Sequence, residues 1–334
     1  MWHVGIDLHR LTVVIAAVDD QGNSRAARRI ECQDSRAIVE AMRSLQPFRA
    51  VIEATGTYRW LYDLLKPLGT VLLAHPLRLR AMVQRRSKTD KLDSQLLANL
   101  LRINQIPLAY IPPESYQQLR DITRHRSRLT RQAATAKTQL RSLLARHNLV
   151  APYRSAFGVK GCRWFAHQEF GPIDNLVRDE LVLRLDHYRR QVAVIDERLE
   201  QLRSQVPQVE ALLDIHGIGL YSALLVIGEL GEVQRFRSAR QVGSYAGLTS
   251  RVRQSGDHCY RGAITREGSP WLRWILVEAA MKAIREDAPL KNFYQRIRKR
   301  SGVKKARVAV ARKLAEICWK RLAGWHRHSL ATIA

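Results

Sequence analysis

Ser87-Lys88-Thr89-Asp90-Lys91-Leu92-Asp93-Ser94-Gln95-Leu96-Leu97-Ala98-Asn99-Leu100-Leu101 is the stretch whose reading decides how the rest of the chain is organised. As a helix it places Asp90 and Asp93 on one face, and that face runs on through Leu97 and Leu100 as an apolar stripe. The two carboxylates then point toward a core. Like charges there repel and lose their water unless a cation sits between them, which suggests a metal ion. A second reading needs no ion: Ser87 and Asp90 fit a capping box, and acids in a first helical turn favour the helix dipole. The stretch alone leaves both readings open.

Upstream, strand-like and helix-like patterns alternate from His3 to about Pro113. His3 to Ile6 is a short apolar strand, Leu11 to Val18 is a β-branched run, and Asp19-Asp20-Gln21-Gly22-Asn23 turns the chain into a third strand near Arg25 to Cys32. A helix near Ser35 to Leu45, a strand Arg49 to Glu53, a helix near Tyr58 to Leu68, a strand Thr70 to Ala74 and the aspartate-bearing helix follow. Three antiparallel strands and then parallel strands with crossover helices make an α/β mixed sheet of ribonuclease-H-like order. In that order Asp7 ends the first strand and Glu53 ends the fourth. Ligands of open α/β sheets collect beyond the carboxyl ends of strands. Asp7, Glu53, Asp90 and Asp93 converging there suit Mg2+, which takes carboxylate and phosphate oxygens. Taken singly, each is also an ordinary solvated acid.

The charge balance names a class of partner. The 334 residues include 56 Lys and Arg against 30 Asp and Glu, a formal net charge of +26, and such an excess implies a polyanion, with nucleic acid first. No apolar run approaches the roughly 20 residues of a membrane span, and the start shows no secretory pattern, so a cytoplasmic protein without membrane attachment is expected. Cys32, Cys162, Cys259 and Cys318 are scattered, without zinc-ligand or redox spacing.

The middle and the end read as helical. Glu114 to about His147 is a long basic helix in which Asp121 is nearly the only acid, which favours phosphate contact over internal pairing. Asn148 to Pro172 reads as an irregular connector. Leu181, Leu185, Tyr188, Val192, Ile195, Leu199 and Leu202 then step as a coiled-coil seam, expected to fold back antiparallel on the basic helix or to pair with another subunit. The expected domains are therefore 1–113, a helical region 114–206 with connector 148–172, and 207–334. In the last, Gly217-Ile218-Gly219 between apolar helices resembles a helix-hairpin-helix cradle for phosphate. Gln241 to Pro270 reads as an exposed, basic, glycine-spaced loop, and Ser255 in it reads as a turn residue with no adjacent base. The candidate nucleic-acid contacts are Lys88, Arg124, Arg128, Arg131, Gly217, Gly219, Arg251, Arg253, Arg261, Lys304 and Lys305.

Six pieces in order carry a resemblance: Gly5-Ile6-Asp7, Ile52-Glu53-Ala54-Thr55-Gly56-Thr57-Tyr58, Lys88-Thr89-Asp90-Lys91-Leu92-Asp93, Gly217-Ile218-Gly219, Ala246-Gly247-Leu248-Thr249 and Gln254-Ser255-Gly256. Together they resemble the DEDD transposases of the insertion-sequence one-ten family over nearly the whole chain. The resemblance implies a RuvC-like domain, a coiled-coil insertion and a C-terminal transposase domain. It implies that Asp7, Glu53, Asp90 and Asp93 bind Mg2+ and that Ser255 attacks DNA to give a covalent phosphoserine. It also implies a structured guide RNA, double-stranded donor and target DNA, and a dimer or tetramer with composite active sites. Two other readings fit the residues: a RuvC-like hydrolytic junction nuclease in which Ser255 is structural, and a non-catalytic RNA- or DNA-binding scaffold.

Overall fold

The uninterrupted run Thr-Val-Val-Ile-Ala-Ala-Val is strand β2 (Thr12–Val18), and all but its first residue are buried, as expected of a strand covered on both faces. It lies between β1 (Trp2–Leu8) and β3 (Ser24–Glu31), antiparallel to both. Then come α1 (Ser35–Arg43), β4 (Phe48–Glu53), α2 (Arg59–Leu65), β5 (Thr70–Ala74), α3 (Pro76–Met82) and α4 (Asp90–Arg102). The sheet order is β3-β2-β1-β4-β5, with β1, β4 and β5 parallel. This is the expected mixed sheet, compatible with a RuvC-like DEDD fold. Edge strand β3 is exposed and carries Arg25, Arg28 and Arg29, charges that discourage further strand pairing.

The computed structural model describes residues 1–82, 90–154 and 156–333, which form two compact units, Met1–Ile111 and Pro112–Ala334. In the first, strand alternation divides the core. Val4, Ile6 and Ile52 face Ile38, Met42, Leu61 and Leu65 of α1 and α2. Val51 and Ala74 face Leu97 and Leu101 of α4 on the other side.

The second unit opens with α5 (Glu114–Arg146), α6 (Val159–Ala166) and α7 (Pro172–Leu202). Arg126 near the start of α5 pairs with Asp196 near the end of α7, and Arg146 at the end of α5 with Asp174 at the start of α7, so the two helices run antiparallel. Between them Ala136, Leu140 and Leu143 pack with Leu181, Leu185, Phe157 and Phe165. The connector 148–172 is not wholly irregular: its aromatics make α6, anchored by the fully buried Phe165.

The chain continues as α8 (Glu210–Leu213), α9 (Leu220–Leu230), α10 (Ala239–Tyr245), β6 (Ser250–Ser255), β7 (His258–Ile264), α11 (Pro270–Glu286) and α12 (Ala288–Ile333), which breaks at Gly302, where φ is 82°. Helix α9 is apolar on nearly every side and sits centrally. Leu224, Leu225 and Val226 share one core with Leu119, Leu199, Leu272, Leu276, Val310 and Leu314. The ends of α5 and α7 thus belong to the same core as the C-terminal helices. The segment expected as a loop, 241–270, contains the antiparallel β6–β7 hairpin. Among the described residues no helix is long and apolar enough to cross a membrane.

Candidate active site

Three acids of the first unit are brought together by one glycine. Gly5 lies two residues before Asp7 on β1, and a Cβ there would lie 2.5 Å from the Ala98 amide nitrogen and 2.9 Å from Leu97 Cβ, closer still to the Ser94 carbonyl oxygen. No real side chain fits, so α4 rests directly on the strand backbone. Asp7 projects from the same face of β1 as Gly5, because strand residues alternate. The first turn of α4, with Asp90 and Asp93, is therefore held beside it.

Glu53 arrives by register. Ile6 pairs with Ile52 across the parallel β1–β4 ladder, so Asp7 and Glu53 hold equivalent places at the ends of neighbouring strands. Strands in a ladder lie about 4.8 Å apart, and both acids face the α4 side.

His9, absent from the sequence-derived site, completes the group. Its Nε2 lies 3.0 Å from Asp7 Oδ2 and 3.1 Å from Asp90 Oδ1. Asp7, His9 and Asp90 each bring one ligand atom, all within 4.8 Å of one another. From β3, Arg29 reaches Asp90 Oδ2 at 3.6 Å. The Asp7 side chain is only 14% exposed. Burial pushes its carboxyl above the ordinary value, His9 pulls it back, and the charges of Asp90 and Asp93 push it up again. Carboxylates crowded at a strand end with an imidazole between them are a donor set that fits a divalent cation. Ser87 and Lys88, and with them the capping-box alternative and the Lys88 contact, lie outside the described residues.

The C-terminal candidates occupy a different setting. Ser255 ends β6, and the two-residue Gly256-Asp257 turn, with Gly256 at φ 55°, returns the chain into β7. Register pairs Ser255 with His258 and Arg253 with Tyr260, so these four side chains share one face of the hairpin. Directly opposed residues bring their Cβ atoms to about 5 Å. Ser255 has no base adjacent to it in sequence; across the hairpin the residue opposite it in register is His258. Every residue of β6 is exposed, Arg251 and Arg253 included. Arg261 pairs in register with Val252, and its side chain lies outside the described ones.

The basic helix differs from expectation in one respect. Its acids are few, but partners reach it from other elements. Arg124 forks onto Glu229 of α9 at 2.7 and 3.0 Å, and Glu229, 1% exposed, also accepts from Ser269 Oγ at 2.7 Å. Arg120 donates to the Gly228 and Glu229 carbonyls, and Arg126 to Asp196 while stacking on Tyr221. Arg128 is exposed, and Arg131, also exposed, lies over the Trp271 ring.

In the Gly217-Ile218-Gly219 turn, Gly217 (φ 86°) meets α11, since a Cβ there would lie 2.6 Å from the Ala279 carbonyl. Gly219 has open space around it, but its N–H donates to Ser222 Oγ at 2.8 Å. Lys304 and Lys305 are exposed on α12 beyond the Gly302 break.

Comparison with known proteins covers both units. A DEDD transposase model of the IS110 type matches residues 4–149, and a model of the transposase IS116/IS110/IS902 family matches residues 209–295. The chain is similar to the transposase for insertion sequence element IS1111A of Coxiella burnetii, 23% identical over 327 residues, covering 96% of this chain and 89% of that protein. It is similar to the transposase for insertion sequence element IS1328 of Yersinia enterocolitica, 25% identical over 283 residues, with 83% and 82% covered. A pilin gene-inverting protein of Moraxella bovis is 25% identical over 281 residues, with 80% and 78% covered.

Proposed function

The chain belongs to the IS110 family of DEDD transposases, DNA-cleaving and strand-joining enzymes, and on that premise we propose that it is an RNA-guided recombinase acting through a serine-linked DNA intermediate. The observation that supports the cleavage chemistry is the meeting of Asp7, His9 and Asp90 at the carboxyl edge of the sheet, with the Asp7 carboxyl pushed up by burial and by its acidic neighbours. Asp7, Glu53, Asp90 and Asp93 hold Mg2+ in this reading. The ion would neutralise charge developing on the phosphate and on the attacking and leaving oxygens.

Ser255 is the nucleophile. Its Oγ forms a bond to a DNA phosphorus as the bond from phosphorus to the leaving sugar oxygen breaks. The hydroxyl proton passes to a base, the role assigned here to His258 because it pairs in register with Ser255, and the leaving sugar oxygen takes up a proton. Arg251 and Arg253, exposed on the same strand, offset the phosphate charge. Strand joining is the reverse attack by a sugar hydroxyl on the phosphoserine. The exposed Arg128, Arg131, Lys304 and Lys305 are available to double-stranded donor and target DNA and to a structured guide RNA. A homo-oligomer of two or four copies, working in the cytoplasm at the nucleoid, supplies the composite active sites that cutting several DNA strands in one exchange requires.

The test is strand cleavage of element-end DNA with the flanking RNA. Cleavage that requires Mg2+ and RNA, and is lost in Asp7→Asn, is expected. Cleavage in EDTA, or undiminished in Asp7→Asn, contradicts the carboxylate assignment; cleavage without RNA contradicts guidance.

A further inference from the structure

His9 occupies a place the four acids do not explain. Its Nε2 is at hydrogen-bonding distance from oxygens of both Asp7 and Asp90, at 3.0 and 3.1 Å. A single ring N–H cannot point at two carboxylates with good geometry at once. A cation beyond the three atoms satisfies all of them. In octahedral coordination, ligands at about 2.1 Å from the ion lie about 3.0 Å from their neighbours, the separation His9 Nε2 keeps from each carboxylate oxygen. The two His9 separations match that spacing, and the ligand atoms of Asp7, His9 and Asp90 all lie within 4.8 Å of one another.

We infer that His9 is itself a ligand of this site, and that its nitrogen shifts the preference of the site from Mg2+ toward Mn2+. The inference rests on the reading of Asp7 and Asp90 as metal ligands. Imidazole suits transition ions, whereas Mg2+ selects oxygen donors and keeps its water. His9 follows Asp7 by two residues, which returns it to the same face just past the end of β1. Its side chain is 45% exposed, so replacing it removes little packing.

The experiment uses the full chain, stripped of metal, titrated with MnCl2 and followed by electron paramagnetic resonance, with Mg2+ affinity obtained by competition. Wild type, His9→Gln, His9→Ala and Asp7→Asn are compared, and thermal unfolding in EDTA checks that each variant is folded. Glutamine returns an oxygen near the place of Nε2. Pulsed spectra of wild type are expected to show a directly bound nitrogen that both His9 variants lack. The Mn2+ to Mg2+ affinity ratio in His9→Gln is expected to fall about tenfold, the lower end of what losing a metal-site contact costs. Mn2+ binding that needs Asp7 but shows no nitrogen coupling, or a ratio unchanged in His9→Gln, overturns the inference and leaves the carboxylate site standing. Wild type that binds no Mn2+, or binding that survives Asp7→Asn, overturns both.

Discussion

The Ser94 carbonyl fills the space in which any side chain on Gly5 would have to begin. That contact sets the distance between α4 and β1, and with it the distance of Asp90 and Asp93 from Asp7. Gly5→Ala must push the helix off the strand. Overpacking of this kind costs about 1–3 kcal/mol, so thermal unfolding should show a clear loss of stability, and strand cleavage should fall further than stability does. Wild-type melting together with wild-type cleavage in Gly5→Ala would contradict this account of how the acids meet.

The crowding of the acids has its own consequence. Burial and the neighbouring Asp90 and Asp93 hold the Asp7 carboxyl above its ordinary value, so its ionised form weakens the metal-free fold at neutral pH. The sign follows: Asp7→Asn should melt higher than wild type in EDTA, and divalent ions should raise the melting temperature of wild type and not of the variant. A variant that melts lower in EDTA would show that the His9 contact outweighs the repulsion.

The arginines of α5 divide into two kinds that separate experiments distinguish. Arg124 is paired with the buried Glu229, and breaking such a pair from one side typically costs about 3–5 kcal/mol, so Glu229→Ala should be strongly destabilised in denaturant titration. The double change to Arg124→Met with Glu229→Leu should recover part of that loss. Arg128→Ala and Arg253→Ala should leave stability nearly unchanged, and each should reduce the slope of log affinity for DNA against log salt by about 1. A reduced slope in a folded Arg124→Ala variant would instead place that side chain against phosphate.

Much of the first unit was legible because its signals are local. Thr12–Val18 and Phe48–Glu53 are β-branched or apolar runs, and turn residues flank them. The places of Asp7, Glu53, Asp90 and Asp93 at strand ends and a helix start can be read from such runs. His9 was missed although alternation from Asp7 puts it on the same face; its second partner, Asp90, is 81 residues away and no local pattern announces it. Nor does any local pattern announce the pairing of Arg124 and Arg126, since Glu229 and Asp196 come from other helices. Exposed, basic and glycine-spaced, the β6–β7 hairpin has the composition of a loop. The signal was there in Arg251-Val252-Arg253 and in a two-residue Gly-Asp turn between strand-like runs.

The most direct test of the central claim is a denaturing gel of the full chain with element-end DNA, flanking RNA and Mg2+, comparing wild type with Ser255→Ala. The account predicts a DNA band linked to protein in wild type and absent in Ser255→Ala. Free cleaved DNA that persists without Ser255, and no linked band, would contradict it and leave a metal-dependent hydrolytic nuclease.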